Sequence, residues 1–293
     1  IIDFDFLEIF KLYLINFYLF FPKLLKINHA FLEKVSKKNN IDLFLINSST
    51  HWLYKYASIY FRLKKIPIIS LQHGGGYGTH NYTKNEFNDI CFSDYFFSYG
   101  KFFHFRKKSL FKKKVKILNV RDSYMEFIKK KFKIEKTSKT IKNVLFISDG
   151  NSSDLICSSK RKQNDLSLYL KQKDLFINIS KNSNIKITFR PFGNENSGII
   201  DYLKYNLSEI KIDNKTNIYK QILNNDLILT DSSPGTILNQ CLYFEKKLIF
   251  LTFNKDSYFF EKFMNLIKKS CYVIINKKKF NFIKNSIKNN DFS

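Results

Sequence analysis

The segment 72–78, QHGGGYG, places one histidine among glycines directly after the apolar run 66–71, IPIISL. A β-branched run of this length predicts a buried strand, and glycines past its end let the backbone turn tightly and approach a ligand closely. Ligands of open α/β sheets bind beyond the carboxyl ends of strands, where an imidazole can exchange a proton near neutral pH. His73 is therefore the first candidate for a catalytic residue. The alternative is a hydrogen-bonded structural histidine.

A second motif begins with the apolar run 227–230 and continues through Asp-Ser-Ser-Pro-Gly-Thr at 231–236. It predicts a buried strand that delivers hydroxyl groups and unpaired backbone N–H groups to the start of the next helix. Those donors, together with the positive end of the helix dipole, favour a phosphate. Plain helix capping by Ser232 or Ser233 explains the same residue types, so both interpretations stay open.

These motifs need strands and helices that alternate along the chain. In the first half we predict strands at 42–47, 66–72, 89–99 and 115–120, and a helix at 51–64 with its N-cap among Ser48, Ser49 and Thr50. In the second half we predict strands at 143–148, 185–190, 210–212, 226–230 and 247–253, with helices at 165–181, 218–224 and 236–244. Strand-helix-strand order indicates parallel sheets.

The segment 121–142 is rich in lysine and weak in apolar pattern, and it divides the two halves. The sequence thus predicts an α/β protein of two Rossmann-like domains with a cleft between them. The first domain spans 1–125, a linker spans 126–142, and the second domain spans 143–293. The first half has fewer predicted strands than a complete domain of this type needs, so we expect its opening strand-helix unit to be absent and the first domain to be incomplete.

The 293 residues carry a formal net charge of +25, and such a basic field attracts anionic partners. Nucleic acid is not predicted, because the lysines are dispersed and show no recognisable motif of interleaved stacking aromatics. The four cysteines form no CxxC pair and the histidines have no metal-ligand spacing, so no metal is predicted. This use of cysteine fits a reducing compartment, and we expect the cytoplasm. With neither an initiator Met nor a cleavable signal pattern, the N-terminus is expected to be cropped.

The apolar segment 12–21 is about half the ~20 residues that a membrane-spanning helix needs. One interpretation is a helix that packs on its own domain. The other is an interfacial helix that lies on an anionic membrane, because Lys23 and Lys26 follow it closely.

Together the two motifs resemble the GT-B-like transferases of bacterial surface-carbohydrate synthesis. Within that group the chain resembles the surface-polysaccharide transferase family with a Gln-His-Gly-Gly-x-Tyr-Gly signature. Its distant relatives include CDP-glycerol glycerophosphotransferases and non-hydrolysing nucleotide-sugar epimerases. The resemblance covers about residues 66–253, and the segment 72–78 is its more specific part.

The resemblance implies that His73 acts as general base on an acceptor hydroxyl. It implies a donor-binding set of Gly74, Gly75, Gly76, Tyr77, Gly78, Arg190, Ser232, Ser233, Gly235 and Thr236. Arg190 would clamp a phosphate, and a surface ion pair is the alternative for it. The implied reaction moves a sugar or polyol phosphate from a nucleotide-sugar or CDP-polyol donor to a glycan or lipid-linked acceptor at the inner membrane face. No cofactor and no metal are implied.

Two other functions stay open at this point. A nucleotide-sugar epimerase is the second enzyme hypothesis, although it needs further acid and base residues that the sequence does not identify. A non-catalytic basic protein that binds membrane surfaces as a scaffold is the third. Likeness in fold alone does not decide between reactions.

Overall fold

The chain divides into two units, each built on a parallel sheet. The structure, a computed structural model, describes residues 6–47, 51–72, 74, 77–79, 89–99, 115–132, 140–148, 165–181, 184–191, 198–231, 236–252, 261–274 and 280–289. Unit 1 contains the described residues up to Gln72 together with 89–99 and 115–120. Unit 2 contains residues 74 and 77–79 and the described residues from Arg121 onward.

Unit 1 is built on a parallel sheet of four strands in the order β1-β2-β3-β4. Its elements are α1 (Phe6–Lys38), β1 (Phe44–Ile46), α2 (Trp52–Leu63), β2 (Ile68–Leu71), β3 (Tyr95–Tyr99) and β4 (Lys116–Val120). The fully buried side chains of Ile68 and Phe96 lie in the two central strands. The predicted α/β class with parallel strands is confirmed.

Helix α1 packs along α2 through aromatic and polar side chains. The rings of Phe21 and Trp52 stand 5.6 Å apart, and the Ser36 hydroxyl lies 3.0 Å from the Tyr60 hydroxyl. The predicted apolar segment 12–21 forms part of α1, whose helix continues through Pro22. Among the helices described, none combines the length and apolar character that crossing a bilayer requires.

Two predicted boundaries in unit 1 are wrong. The N-cap of α2 is His51, whose Nδ1 accepts from the Leu53 N–H over 3.3 Å, and not a residue of 48–50. The strand predicted from Asp89 begins at Tyr95, because the Ser93 hydroxyl bonds the carbonyls of Asp89 and Ile90 and closes a helical turn there.

Unit 2 is built on a parallel sheet of six strands in the order β10-β9-β8-β5-β6-β7. Its strands are β5 (Asn143–Ile147), β6 (Lys186–Arg190), β7 (Lys211–Ile212), β8 (Leu227–Thr230), β9 (Lys247–Leu251) and β10 (Tyr272–Ile274). Its helices are α3 (Ser123–Lys131), α4 (Asp165–Ser180), α5 (Gly198–Asn206), α6 (Ile218–Asn224), α7 (Thr236–Tyr243), α8 (Glu261–Ser270) and α9 (Phe280–Asn289).

Helices cover both faces of this sheet, so its central strands are apolar throughout. On one face Phe146 of β5 packs against Phe176 of α4, with ring centroids 5.1 Å apart. On the other face Leu145 of β5 belongs to a cluster with Leu238 of α7 and Phe263 of α8. Alternate residues of one strand thus serve two separate cores.

Helix α3 occupies the start of the segment that the sequence suggests as a linker. Its N-cap Asp122 accepts from the Met125 N–H at 3.1 Å, and Met125 and Ile128 are buried in the core of unit 2. Residues 126–131 are therefore helical. The apolar pattern of this helix is hidden in the sequence by the three lysines of its last turn.

The order in which strands are added to the sheet of unit 2 reverses at β5. From β5 the chain passes to β6 and β7 on one side, and then returns to β8 on the other side of β5. The helices that follow β5 and β8 consequently pack on opposite faces. Such a switch point opens a crevice at the carboxyl ends of the two strands, where ligands of this class of sheet bind.

Candidate functional site

Gln72 closes the carboxyl end of β2 against the neighbouring strand β3. Its backbone N–H donates to the Phe97 carbonyl over 2.9 Å. Its side-chain Oε1 accepts from the Tyr99 N–H at 2.9 Å and from the Ser98 hydroxyl at 3.2 Å. Because the side chain is buried, these bonds fix the direction in which the backbone leaves β2.

After Gln72, the structure describes Gly74 and the turn 77–79, and both belong to unit 2. A Cβ atom added to Gly74 would stand 3.8 Å from Oγ1 of Thr236, so a larger side chain here would cover that hydroxyl group. The turn is buried, and Gly78 has a φ of 71°, which residues with a Cβ adopt only at a cost. Gly74 thus lies beside the first residue of α7, and Gly78 shapes the turn.

The remaining predicted site residues lie outside the described residues. They are His73, Gly75, Gly76, Ser232, Ser233 and Gly235. Their roles stay predictions.

The start of α7 presents hydrogen-bond donors next to Gly74. The first backbone N–H groups of a helix have no partner within the helix, and this end carries a partial positive charge. Thr236 is exposed and begins the helix five residues after Asp231, which follows β8. An anion placed here would meet the backbone donors and the Thr236 hydroxyl together.

A polar cluster of Ser148, Gln172 and Asp231 lies at the switch point itself. Ser148 follows β5, Asp231 follows β8, and Gln172 reaches both from α4. The Gln172 Nε2 group donates to the Asp231 carboxylate at 2.7 Å and to the Ser148 hydroxyl at 3.0 Å. Gln172 is 1 % exposed, and its Oε1 is buried without a hydrogen-bond partner in the described structure.

Sequence reasoning missed Gln172, although a signal for it exists. Leu168, Leu175 and Phe176 are buried at helical spacing around it, so Gln172 is a polar residue on the apolar face of an amphipathic helix. A polar side chain at such a position needs a specific partner. Its partners come from strand ends 24 and 59 residues away in the chain, which the local pattern does not reveal.

Arg190 is held by the segment before α6 and by α6 itself. Its Nη1 donates to the Thr216 carbonyl and to Oε1 of Gln221, each over 2.6 Å, and the Gln221 amide donates in turn to the Asp213 carbonyl at 2.9 Å. Burial lowers the pKa of Arg190. Nη1 thus ties the end of β6 to the segment before α6 and to α6 itself. A phosphate contact of Arg190 stays a prediction.

Asp213 anchors the same segment through its carboxylate. It accepts from the Thr216 N–H at 3.0 Å and the Thr216 hydroxyl at 2.8 Å, and it lies 3.2 Å from the Lys211 ammonium. These bonds, the Thr216 N–H first, hold the pKa of the Asp213 carboxyl well below its ordinary value. Among the described residues, no group of three His, Cys, Asp or Glu side chains could hold a metal ion.

Comparison with known families gives a match that spans most of the chain. A family model described as LIC12162 family transferase matches residues 6–269. No curated protein matches the chain.

Several solved structures share the fold at low sequence identity. The UDP-GlcNAc 2-epimerase from Rickettsia bellii is 17 % identical with a TM-score of 0.55, over 92 % of this chain and 72 % of that one. The enzyme from Methanocaldococcus jannaschii is 15 % identical with a TM-score of 0.55, over 92 % and 76 %. The enzyme from Neisseria meningitidis, bound to UDP-GlcNAc, is 11 % identical with a TM-score of 0.53, over 92 % and 73 %. At such identities the likeness shows the GT-B-like fold alone.

The lowered pKa of Asp213 makes a prediction for acid stability. The folded state favours the ionised carboxylate, so this stabilisation is present above the ordinary pKa of 3.8 and is lost as the pH falls through the lower folded value. Asp213→Asn should therefore unfold in less urea than the wild type at pH 7, and the difference should shrink below about pH 4. Urea unfolding from pH 7 to pH 3 measures it.

Asp201→Asn is the matched control, because Asp201 is 71 % exposed and pairs only loosely with Lys204 at 3.9 Å. It should unfold like the wild type at every pH. A constant difference between Asp213→Asn and the wild type down to pH 3 would contradict the assignment.

Proposed function

The chain belongs to the LIC12162 family of transferases, and we propose that it moves a sugar or polyol phosphate from a nucleotide-activated donor to a cell-surface glycan acceptor. The observation that carries this proposal is the place of Gly74 beside Thr236 at the start of α7. It joins the two motifs that the sequence singles out, although 162 residues separate them in the chain.

Unit 2 has the features that a donor site requires. The backbone donors of α7 and the Thr236 hydroxyl suit the phosphates of the donor. Asp231 is a carboxylate at the switch point, where it can accept from hydroxyl groups of a ribose or of the transferred sugar. Gln172 holds that carboxylate in place with a 2.7 Å bond. Phosphate and sugar thus meet chemically different groups at one edge of the sheet.

In the proposed reaction, His73 removes the proton of the acceptor hydroxyl while that oxygen attacks the donor. A new bond forms from the acceptor oxygen to the transferred group, and the bond to the nucleotide phosphate breaks. The negative charge that develops on the leaving phosphate is stabilised by the α7 donors. Support for His73 comes from its place in the sequence next to Gly74 and from Gln72, whose buried side chain fixes the strand end before it.

We also propose that α1 docks on an anionic membrane, where a lipid-linked acceptor would lie. An apolar stripe of four exposed side chains, Phe20, Leu24, Ile27 and Phe31, follows spacings of four, three and four residues, which keeps them on one helix face. Phe20, Ile27 and Phe31 are each more than 60 % exposed. This stripe lies further along α1 than most of the segment 12–21 that the sequence suggests.

Lysines border the apolar stripe on one side. Lys23 and Lys34 each follow a stripe residue by three positions, and Lys38 continues the stripe one heptad after Phe31; all three are exposed. Glu33 is bound to Lys37 at 2.8 Å. An apolar face with a basic border suits the boundary of an anionic bilayer.

The division of labour between the two motifs is testable with a pair of variants. Thr236→Val should weaken donor binding by about 1.5–3 kcal/mol, roughly tenfold to a hundredfold, because a hydrogen bond to a charged phosphate is lost. His73→Ala should leave donor binding nearly unchanged and lower turnover by about 10²–10⁴-fold, because only proton removal is lost. Calorimetric titration and turnover assays with a donor panel measure the two effects.

Thr140→Val makes the same change at another exposed threonine of unit 2 and should bind donor normally. His73→Asn should be almost as slow as His73→Ala. Normal donor affinity of Thr236→Val would leave helix capping as the explanation of its motif. Near-normal turnover of either folded His73 variant would remove the general base.

The membrane proposal predicts co-sedimentation with vesicles that contain phosphatidylserine and little with pure phosphatidylcholine. Binding should fall as salt rises, because the electrostatic part is screened. A triple variant, Phe20→Asn, Ile27→Asn and Phe31→Asn, should lose binding. Leu63→Asn is the control, since Leu63 is 80 % exposed on α2 and lies outside the stripe. Equal sedimentation of the triple variant and the wild type would rule out this surface.

A further inference from the structure

Arg62 in the last turn of α2 has two buried hydrogen-bond donors that no described residue satisfies. Its Nε and Nη2 atoms are both buried, and neither has a hydrogen-bond partner in the part of the chain that the structure describes. Buried polar groups in folded proteins are almost always paired, and a buried donor without a partner destabilises the fold. The position therefore calls for an acceptor.

The identity of the two nitrogens indicates what kind of acceptor fits. Nε and Nη2 lie on the same edge of the planar guanidinium, and their N–H bonds run parallel. This edge matches two oxygens of one phosphate or carboxylate group, which it binds in a bidentate manner. A carbonyl or water oxygen can accept from both donors, but neither brings the negative charge that stabilises the guanidinium.

A second positive charge lies on the same face of α2. Lys55 precedes Arg62 by seven residues, which is two helical turns, and is partly buried. Its ammonium forms no ion pair with any described residue. Burial raises the pKa of the Cys91 thiol, and the positive charges of Lys55 and Arg62 both oppose that rise. Both cations therefore lie near the Cys91 thiol.

Asp89 is a carboxylate whose charge acts on the same thiol. It is fully buried two residues before Cys91, and its charge adds to the rise in the pKa of Cys91. It makes no hydrogen bond to Nε or Nη2 of Arg62. Lys55, Arg62 and Asp89 thus all act on the Cys91 thiol, and Asp89 does not satisfy the two buried donors of Arg62.

The Arg62 end of this pair lies away from the edge of the sheet that Gln72 closes, whereas Lys55 is in the first turn of α2, which follows the carboxyl end of β1. Helix α2 connects the parallel strands β1 and β2 and therefore runs against their direction. Its last turn, with Arg62, lies toward the amino ends of the strands, whereas Gln72 follows the carboxyl end of β2. The turn at Asp89–Cys91 likewise precedes β3.

We propose that Arg62 and Lys55 form an anion-binding site in unit 1 that takes a phosphoryl or carboxylate group. The argument for this site rests on residues of unit 1 and does not depend on the donor site proposed for unit 2. Bound there, the anion would supply both oxygens to the Arg62 edge and a charge to Lys55.

The test is calorimetric titration and thermal unfolding of the full chain with inorganic phosphate, and in a second arm with acetate, at constant ionic strength set with sodium chloride. The arm that gives a saturable rise in Tm identifies a phosphoryl or a carboxylate ligand. Arg62→Met should abolish this rise, and Lys55→Met should reduce it. Arg121→Met, the same change at an exposed arginine, should keep it.

Arg62→Lys provides the second measurement if Arg62→Met does not fold. It keeps the charge and loses the two-nitrogen edge, so the affinity should fall about tenfold or more. An unchanged affinity in Arg62→Lys would overturn the proposal. So would an equal rise in Tm for Arg62→Met and the wild type, or no saturable rise with either anion. Arg62→Met should still bind nucleotide donors like the wild type, so the two proposals can fail separately.

Discussion

The parallel pairing of β5 with β8 is the interaction on which the site in unit 2 depends. The two strands pair from Val144 with Leu227 to Ile147 with Thr230, although about 80 residues separate them in the chain. Asp226 fixes the start of this pair, because its carboxylate accepts from the backbone N–H groups of Lys142 and Asn143 at 3.0 and 2.8 Å. A slip of one residue in the pairing would move the side chains of one strand to the opposite face of the sheet. The register therefore brings Ser148 and Asp231 level at the carboxyl edge, where Gln172 binds both.

The local parts of this arrangement are readable in the sequence. The apolar runs predicted the central strands of both units within a few residues, and the alternation of strands and helices indicated parallel sheets. The strand end at Gln72 and the helix start at Thr236 lie where the sequence indicates. These features follow from periodicity and from turn residues, which act over a few positions.

The missed features depend on partners that are distant in the chain. The sequence suggested Arg190 as a phosphate clamp, but it could not show that its Nη1 bonds Thr216 and Gln221. Gln172 was overlooked because its meaning depends on the strand order. Helix α3 was hidden by its terminal lysines, and only the core contact of Ile128 explains why it packs on unit 2. The burial of the Arg62 donors likewise emerges only once α2 is folded.

Membership of a transferase family and a GT-B-like fold leave one central question, which is whether the donor group moves to an acceptor. The most direct measurement follows the fate of labelled UDP- and CDP-linked donors incubated with the chain, with and without a panel of glycan and lipid-linked acceptors. Our account predicts that nucleotide is released only when an acceptor is present and that the label appears on the acceptor in equal amount. Conversion of the donor into an isomer that still carries its nucleotide, with no acceptor consumed, would contradict it and would indicate an epimerase.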